Sequence, residues 1–113
     1  MGEIKQVAGS ISADPGAHDI VTPEYEPQGH PLRLKKVKVH FPTGTQGLLK
    51  VRFLYGNTAI VPESGWITGD NYTFETEEEY EFDAGSPVTI EYINEDTADK
   101  KVAYYEIVYE VVE

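Results

Sequence analysis

Leu49-Lys50-Val51-Arg52-Phe53-Leu54-Tyr55 is the stretch that decides the fold class. Leu49, Val51, Phe53 and Tyr55 fall on one side of an extended chain, and Lys50 and Arg52 on the other. That period of two is what a strand with one buried and one wet face requires. The same alternation recurs upstream, where Val37, Val39 and Phe41 alternate with Lys38 and His40, and downstream, where Val88, Ile90 and Tyr92 alternate with Thr89 and Glu91. Within the basic run the apolar set slips from even positions (Leu32, Leu34) to odd ones (Val37, Val39, Phe41), which predicts a β-bulge at Lys35-Lys36. Acidic strands are expected at 72–76 and 79–82, and a short strand at Ala59-Ile60-Val61.

The segments between these runs carry turn chemistry. Pro42-Thr43-Gly44-Thr45-Gln46-Gly47 offers two glycines for positive φ, and Asp83-Ala84-Gly85-Ser86-Pro87 ends one strand and lets the next begin at a proline. The long connection from Gly56 to Asn71 has the length of a binding or interface loop. No stretch shows a helical period, and Glu95-Asp96-Thr97-Ala98-Asp99-Lys100 reads as a charged loop. The expectation is all-β: an antiparallel β-sandwich of Greek-key or jelly-roll type with seven to nine short strands. A small closed barrel is the alternative. Residues 1–31, with Pro15, Pro23, Pro27 and Pro31, read as an extended N-terminal arm holding short edge strands, and 32–113 as the sandwich domain.

The last run has two unequal faces. Tyr105, Ile107, Tyr109 and Val111 form a continuous apolar face, while Val102, Tyr104, Val108 and Val112 are interrupted only by Glu106 and Glu110. A second face this apolar predicts a covering contact, from the arm or from another copy of the chain. Tyr104, Val108 and Val112, together with Trp66 and Ile67 of the long loop, are the expected interface residues. Glu106 and Glu110 can instead pair with Lys36, Lys38, Lys50 or Arg52 across a sheet.

Charge is divided along the chain. Residues 1–54 hold seven Lys/Arg against five Asp/Glu, and residues 55–113 hold two against fifteen, for a net charge of −11. Such acidity disfavours nucleic acid as a partner, since phosphate binding needs a basic patch. It leaves a basic or apolar protein surface, or a second copy, as the expected partner. No segment has the roughly 20 apolar residues of a membrane helix, and Met1-Gly2-Glu3-Ile4-Lys5-Gln6 lacks the apolar stretch of a signal peptide. A soluble chain is expected. Gln6 also stands where a myristoylation signal has Ser or Thr.

No catalytic signature accompanies the strands. The absence of cysteine excludes disulfides and thiolate chemistry. His18, His30 and His40 have no metal-ligand spacing, and Ser64 and Ser86 lack the Gly-x-Ser-x-Gly context of an activated nucleophile. Asp70-Asn71 and Asn94-Glu95-Asp96 with Asp99 are oxygen-rich, yet they match the turn chemistry of Asx side chains better than a calcium loop. No catalytic, cofactor or metal residue is therefore assigned. Trp66, flanked along the chain by Tyr55 and Tyr72, leaves sugar binding on an aromatic platform as the alternative function.

The block from Gly47 to Glu113 resembles the small β-sandwich or jelly-roll accessory proteins of virus and bacteriophage particles. The residues that carry this are Gly-Leu-Leu-Lys-Val-Arg-Phe-Leu-Tyr-Gly from Gly47, Pro62-Glu63-Ser64-Gly65-Trp66, Glu81-Phe82-Asp83-Ala84-Gly85-Ser86-Pro87 and Val88-Thr89-Ile90-Glu91-Tyr92-Ile93-Asn94. The resemblance implies a non-enzymatic component of a capsid or virion, often trimeric, whose N-terminal arm contacts its host surface.

Overall fold

The computed structural model describes residues 2–26, 29–83 and 85–112. Pro27 of the expected arm, Ala84 of the 83–87 turn and Glu113 of the last run lie outside the described residues. Among the described residues there are eight strands: β1 (Glu3–Ala13), β2 (His18–Val21), β3 (Pro31–Phe41), β4 (Leu49–Tyr55), β5 (Thr58–Val61), β6 (Tyr72–Asp83), β7 (Val88–Asn94) and β8 (Lys101–Val111). They form two four-stranded sheets, β1-β8-β3-β6 (sheet A) and β2-β7-β4-β5 (sheet B).

This order follows from rolling up one long antiparallel ribbon. The tip of the ribbon is the β4–β5 hairpin, where Tyr55 pairs with Thr58 and Gly56, at φ 62°, takes the left-handed first position of a two-residue loop. Behind the tip β3 pairs with β6, β2 with β7 and β1 with β8. Rolling brings β8 beside β3 and β7 beside β4, all antiparallel, which completes both four-stranded sheets. The result is a jelly roll, one of the two sandwich types that the alternation left open.

The bulge expected at Lys35-Lys36 is present. The registers of β3 with both β6 and β8 shift between Leu34 and Lys36. The extra residue is what lets Leu32, Leu34, Val37, Val39 and Phe41 all face inward, each fully buried. Against β6 the count runs the other way, with Lys35 and Lys36 opposite Glu77, Glu78 and Glu79, and β6 keeps its alternation throughout, so the two acidic strands expected at 72–76 and 79–82 are a single strand, β6. The sheet-to-sheet turn after β3 uses its glycines as expected, with φ of 108° at Gly44 and 71° at Gly47. Asp83 Oδ1 accepts hydrogen bonds from the amides of Gly85 and Ser86, an Asx turn between β6 and β7.

The N-terminal segment is built into both sheets. β1 and β2 are edge strands, and β1 has eleven residues, longer than a proline-rich arm suggests. The connection between β2 and β3 turns inward at Tyr25, 2% exposed, whose ring meets Phe82 and Tyr109 edge-on at centroid distances of 4.7 and 5.3 Å. Its hydroxyl donates to the Val88 carbonyl at 2.8 Å. Tyr25 thus fastens this segment into its own sandwich.

Candidate functional site

Strand register places the charged residues in rows across the outer face of sheet A. One row runs Ile4, Glu110, Arg33, Glu81, and the next two run Gln6, Val108, Lys36, Glu77 and Ala8, Glu106, Lys38, Glu75. Basic β3 therefore lies between acidic β6 and β8. Arg33 reaches Glu81 at 3.0 Å and Glu110 at 3.5 Å, Lys36 reaches Glu75 at 2.8 Å, and Lys35 reaches Glu79 at 2.6 Å. Glu106 accepts from Gln6 Nε2 at 3.0 Å. The charge division along the sequence is in large part a cross-strand pairing within one sheet, which reinforces register although each exposed pair is individually weak.

Beyond these rows lies the least charged part of the face. Tyr104, 50% exposed, is stacked on His40 with ring centroids 6.5 Å apart, and His40 Nδ1 is 2.7 Å from Thr73 Oγ1. Next to the ring, on the β1 side, is a shallow hollow of about 510 Å³ lined by Ala8, Ser10, Lys38, His40, Tyr104 and Glu106. The hollow exists because β1 presents only small side chains opposite Tyr104 and Glu106. Val108 is half-buried between Gln6 and Lys36, and Val112, also half-buried, donates its amide to Pro31.

The long loop contributes less surface than its sequence suggests. Ile67 exchanges two backbone hydrogen bonds with Val51, 3.0 and 2.8 Å, and its side chain is 4% exposed. It belongs to the core, which takes it out of the expected interface set. Trp66, its neighbour, is half-buried on the outside of sheet B, with the Arg52 guanidinium 4.2 Å from the ring centroid. Arg52 Nε also donates to Glu91 at 2.6 Å, and Glu91 lies 2.6 Å from His18 Nε2, so a line of contacts His18–Glu91–Arg52–Trp66 crosses β2, β7 and β4. Burial pushes the Glu91 carboxyl up, but the hydrogen bonds from His18 and Arg52 outweigh it and hold the group below the usual carboxylate range.

Trp66, Tyr55 and Tyr72 do not form one platform. Tyr55 packs on Tyr80 at a centroid distance of 5.2 Å, and Tyr80 lies eight residues along β6 from Tyr72. At about 3.3 Å per residue this puts Tyr55 and Tyr72 roughly 25 Å apart. Arg52 meanwhile covers one face of the Trp66 ring. His18 and His40 lie on opposite sheets and His30 at the mouth of β3. Among the described residues no group of three or more His, Asp or Glu is placed to hold a metal ion.

The oxygen-rich loops spend their oxygens on the chain itself. Asp70 Oδ1 accepts from the Gly44 amide at 2.7 Å. Asn94, fully buried, shares its two amide hydrogens among the carbonyls of Ala13, Asp14 and Asp99 at 3.0–3.2 Å, and its Oδ1 accepts from the Asp96 amide. Asp96 accepts from the amides of Ala98 and Asp99 and meets Lys101 Nζ at 3.2 Å, while Lys101, 7% exposed, donates to the Gly44 carbonyl at 2.8 Å. This network, which the sequence did not announce beyond its Asx-rich composition, ties the β1–β2, β3–β4 and β7–β8 connections into one end of the sandwich.

These contacts set a pH dependence. The backbone amides of Ala98 and Asp99, and then Lys101, hold Asp96 below the usual carboxylate range; the hydrogen bonds from Lys36 and Lys35 do the same for Glu75 and Glu79. Carboxyls depressed in the folded state bind fewer protons there than in the unfolded chain, so their stabilisation is complete above about pH 4 and is lost as pH falls below it. Relief of repulsion among the eleven net negative charges acts the other way between pH 7 and the carboxylate range. A thermal melting series from pH 7 to 2.5 is expected to pass through a maximum and then fall steeply below about pH 4. A Tm that stays flat or rises through that lower range would remove these pairs from the stability account.

No family model and no curated protein matches the sequence. Solved structures do match in fold. A chain of the cyanophage Pam1 capsid asymmetric unit superposes with a TM-score of 0.62 at 12% identity, over 98% of this chain and 86% of that one. By fold, this chain resembles subunits of virus particles. A chain of tomato aspermy virus gives a TM-score of 0.56 at 9% identity over 99% of this chain and 79% of its own. PirA gives 0.52 at 18% identity, over 88% and 92%. At these identities the likeness is one of architecture. The resemblance stated for the block from Gly47 to Glu113 is thus one of fold.

Proposed function

We propose that this protein is a non-catalytic structural module that self-associates and acts as an accessory component of a capsid-like particle. The observation that carries the reading is the end of the outer face of sheet A where half-exposed Tyr104 stands beside a hollow lined by Ala8 and Ser10 on one side and by Lys38, His40 and Glu106 on the others. A projecting ring beside a shallow hollow on the same face lets two copies cover each other across a two-fold axis, the commonest symmetry of small soluble assemblies. Val108 and Val112 continue that face along β8. The likeness of fold to virus-particle subunits supports the assignment to a particle, and the acidity of the remaining surface supports a basic or apolar protein surface as the particle-side partner.

Light scattering at tens of micromolar tests it. The wild-type chain is expected to run as a dimer or larger assembly, and Tyr104→Lys combined with Val108→Lys to run as a folded monomer with its Tm lowered by no more than a few degrees. A wild-type monomer at those concentrations sinks the proposal. Loss of folding in the double variant would place this face inside the molecule's own core instead.

A further inference from the structure

Two open sheets leave four edge strands, and the sequence protects three of them. β2 and β5 have four residues each. β6 is long but carries Glu75, Glu77, Glu78, Glu79, Glu81 and Asp83, so two β6 edges would meet acid to acid. Shortness and charge are two of the devices that keep edge strands from pairing. β1 has neither. It runs for eleven residues, and from Gln6 to Ala13 the sequence Gln-Val-Ala-Gly-Ser-Ile-Ser-Ala contains no charge and no proline. Its only charged residues, Glu3 and Lys5, are of opposite sign and lie 3.6 Å apart.

The direction of its unused backbone groups can be derived. The Val112 amide donates to Pro31, so even residues at this end of β8 point towards β3. Amide direction alternates along a strand, so the odd residues of β8 point at β1, where Val7, Gly9 and Ile11 stand opposite Ile107, Tyr105 and Ala103. The amides and carbonyls of Gln6, Ala8, Ser10 and Ser12 therefore point away from the sheet. Their side chains, on the outer face, are small or uncharged and present little obstruction to an approaching strand.

We propose that β1 is a docking edge and that its occupant is β1 of a second copy, antiparallel across a two-fold axis, so that two copies of sheet A join into one eight-stranded sheet. Charge selects this edge for self-pairing, because the uncharged run Gln6 to Ala13 meets its own copy without like charges in register. Two chains of net charge −11 repel over most of their surfaces, and the β1 edge is the long backbone template on which no uncompensated charge opposes the approach. Pairing here also brings the Tyr104 faces of the two copies onto one continuous surface. The inference rests on the self-association proposed above and adds an edge-to-edge contact to the Tyr104 face.

Hydrogen exchange on the full chain, read residue by residue from dilute to near-millimolar solution, tests the pairing. The amides of Gln6, Ala8, Ser10 and Ser12 are expected to slow by about tenfold or more with concentration while exposed loop amides do not. Ala8→Pro removes an outward amide at an edge position and is expected to weaken dimerisation about tenfold. Ser10→Lys, which leaves the backbone intact, is expected to act in the same direction if the proline variant does not fold. If light scattering finds a dimer whose four β1 amides exchange as fast as in dilute solution, the edge pairing is wrong and self-association stands. A monomer at every concentration overturns both.

Discussion

Tyr25→Ala is expected to destabilise the protein by about 3–5 kcal/mol, the range for removing a fully buried aromatic ring from a core, and to lower Tm by roughly 15 °C. The ring is 2% exposed, meets Phe82 and Tyr109 edge-on, and carries a hydroxyl bonded to the Val88 carbonyl. Tyr109 adds a second tie, its hydroxyl lying 3.0 Å from both the amide and the carbonyl of Glu26. Burial also pushes the Tyr25 phenol far above its ordinary range, so the side chain stays neutral throughout the accessible pH range. Tyr25→Phe keeps the ring and gives up the hydrogen bond to the Val88 carbonyl, for about 1 kcal/mol. Because the docking is within one chain, the loss measured by thermal or urea unfolding should not depend on protein concentration. A concentration-dependent loss would mean that the segment from Val21 to Pro31 packs on another molecule.

Asn94→Asp is the second large effect. The Asn94 amide supplies donors to three backbone carbonyls from two different connections, with no exposed surface to admit water in its place. Alanine at this position leaves those carbonyls short of donors, and each unsatisfied buried group costs about 1–3 kcal/mol, so a total of about 3 kcal/mol is expected. Aspartate has almost the same shape but turns an acceptor towards three acceptors, and at pH 7 it adds a buried negative charge. Its cost should equal or exceed that of alanine, read as a lower urea midpoint with an unchanged slope. An Asn94→Asp variant as stable as wild type would show that volume alone holds this end of the sandwich.

Both predictions concern residues whose importance is nearly invisible in one dimension. Tyr25 stands among prolines and glutamates, and Asn94, although it falls on the inward side of β7, is a polar residue at the start of a charged loop, where polarity argues for exposure. The strands were readable by contrast because alternation is local. Leu49 to Tyr55 and Val88 to Asn94 declare their inward faces within seven residues. Lys35-Lys36 declares its bulge through the slip of apolar positions, and Pro42 to Gly47 its turn through glycines that the backbone needs at positive φ. The candidate surface is a proposal that starts from the sequence. The second apolar face of β8 pointed to Tyr104, Val108 and Val112, whereas Ile67 was misplaced because an apolar residue in a loop carries no period to show which way it faces.

By itself, then, the sequence determined that this chain is all-β, where most strands run and which side of each faces inward, since those follow from side-chain polarity at a spacing of two residues. Only the tertiary structure decided that β8 lies between β1 and β3, that acidic β6 pairs with basic β3, that Tyr25 closes its own core and that β1 is left as the unguarded edge. Those outcomes depend on contacts between residues tens of positions apart. Many strand orders satisfy the same alternation, and the one adopted is set by how a long hairpin rolls so that its apolar faces meet.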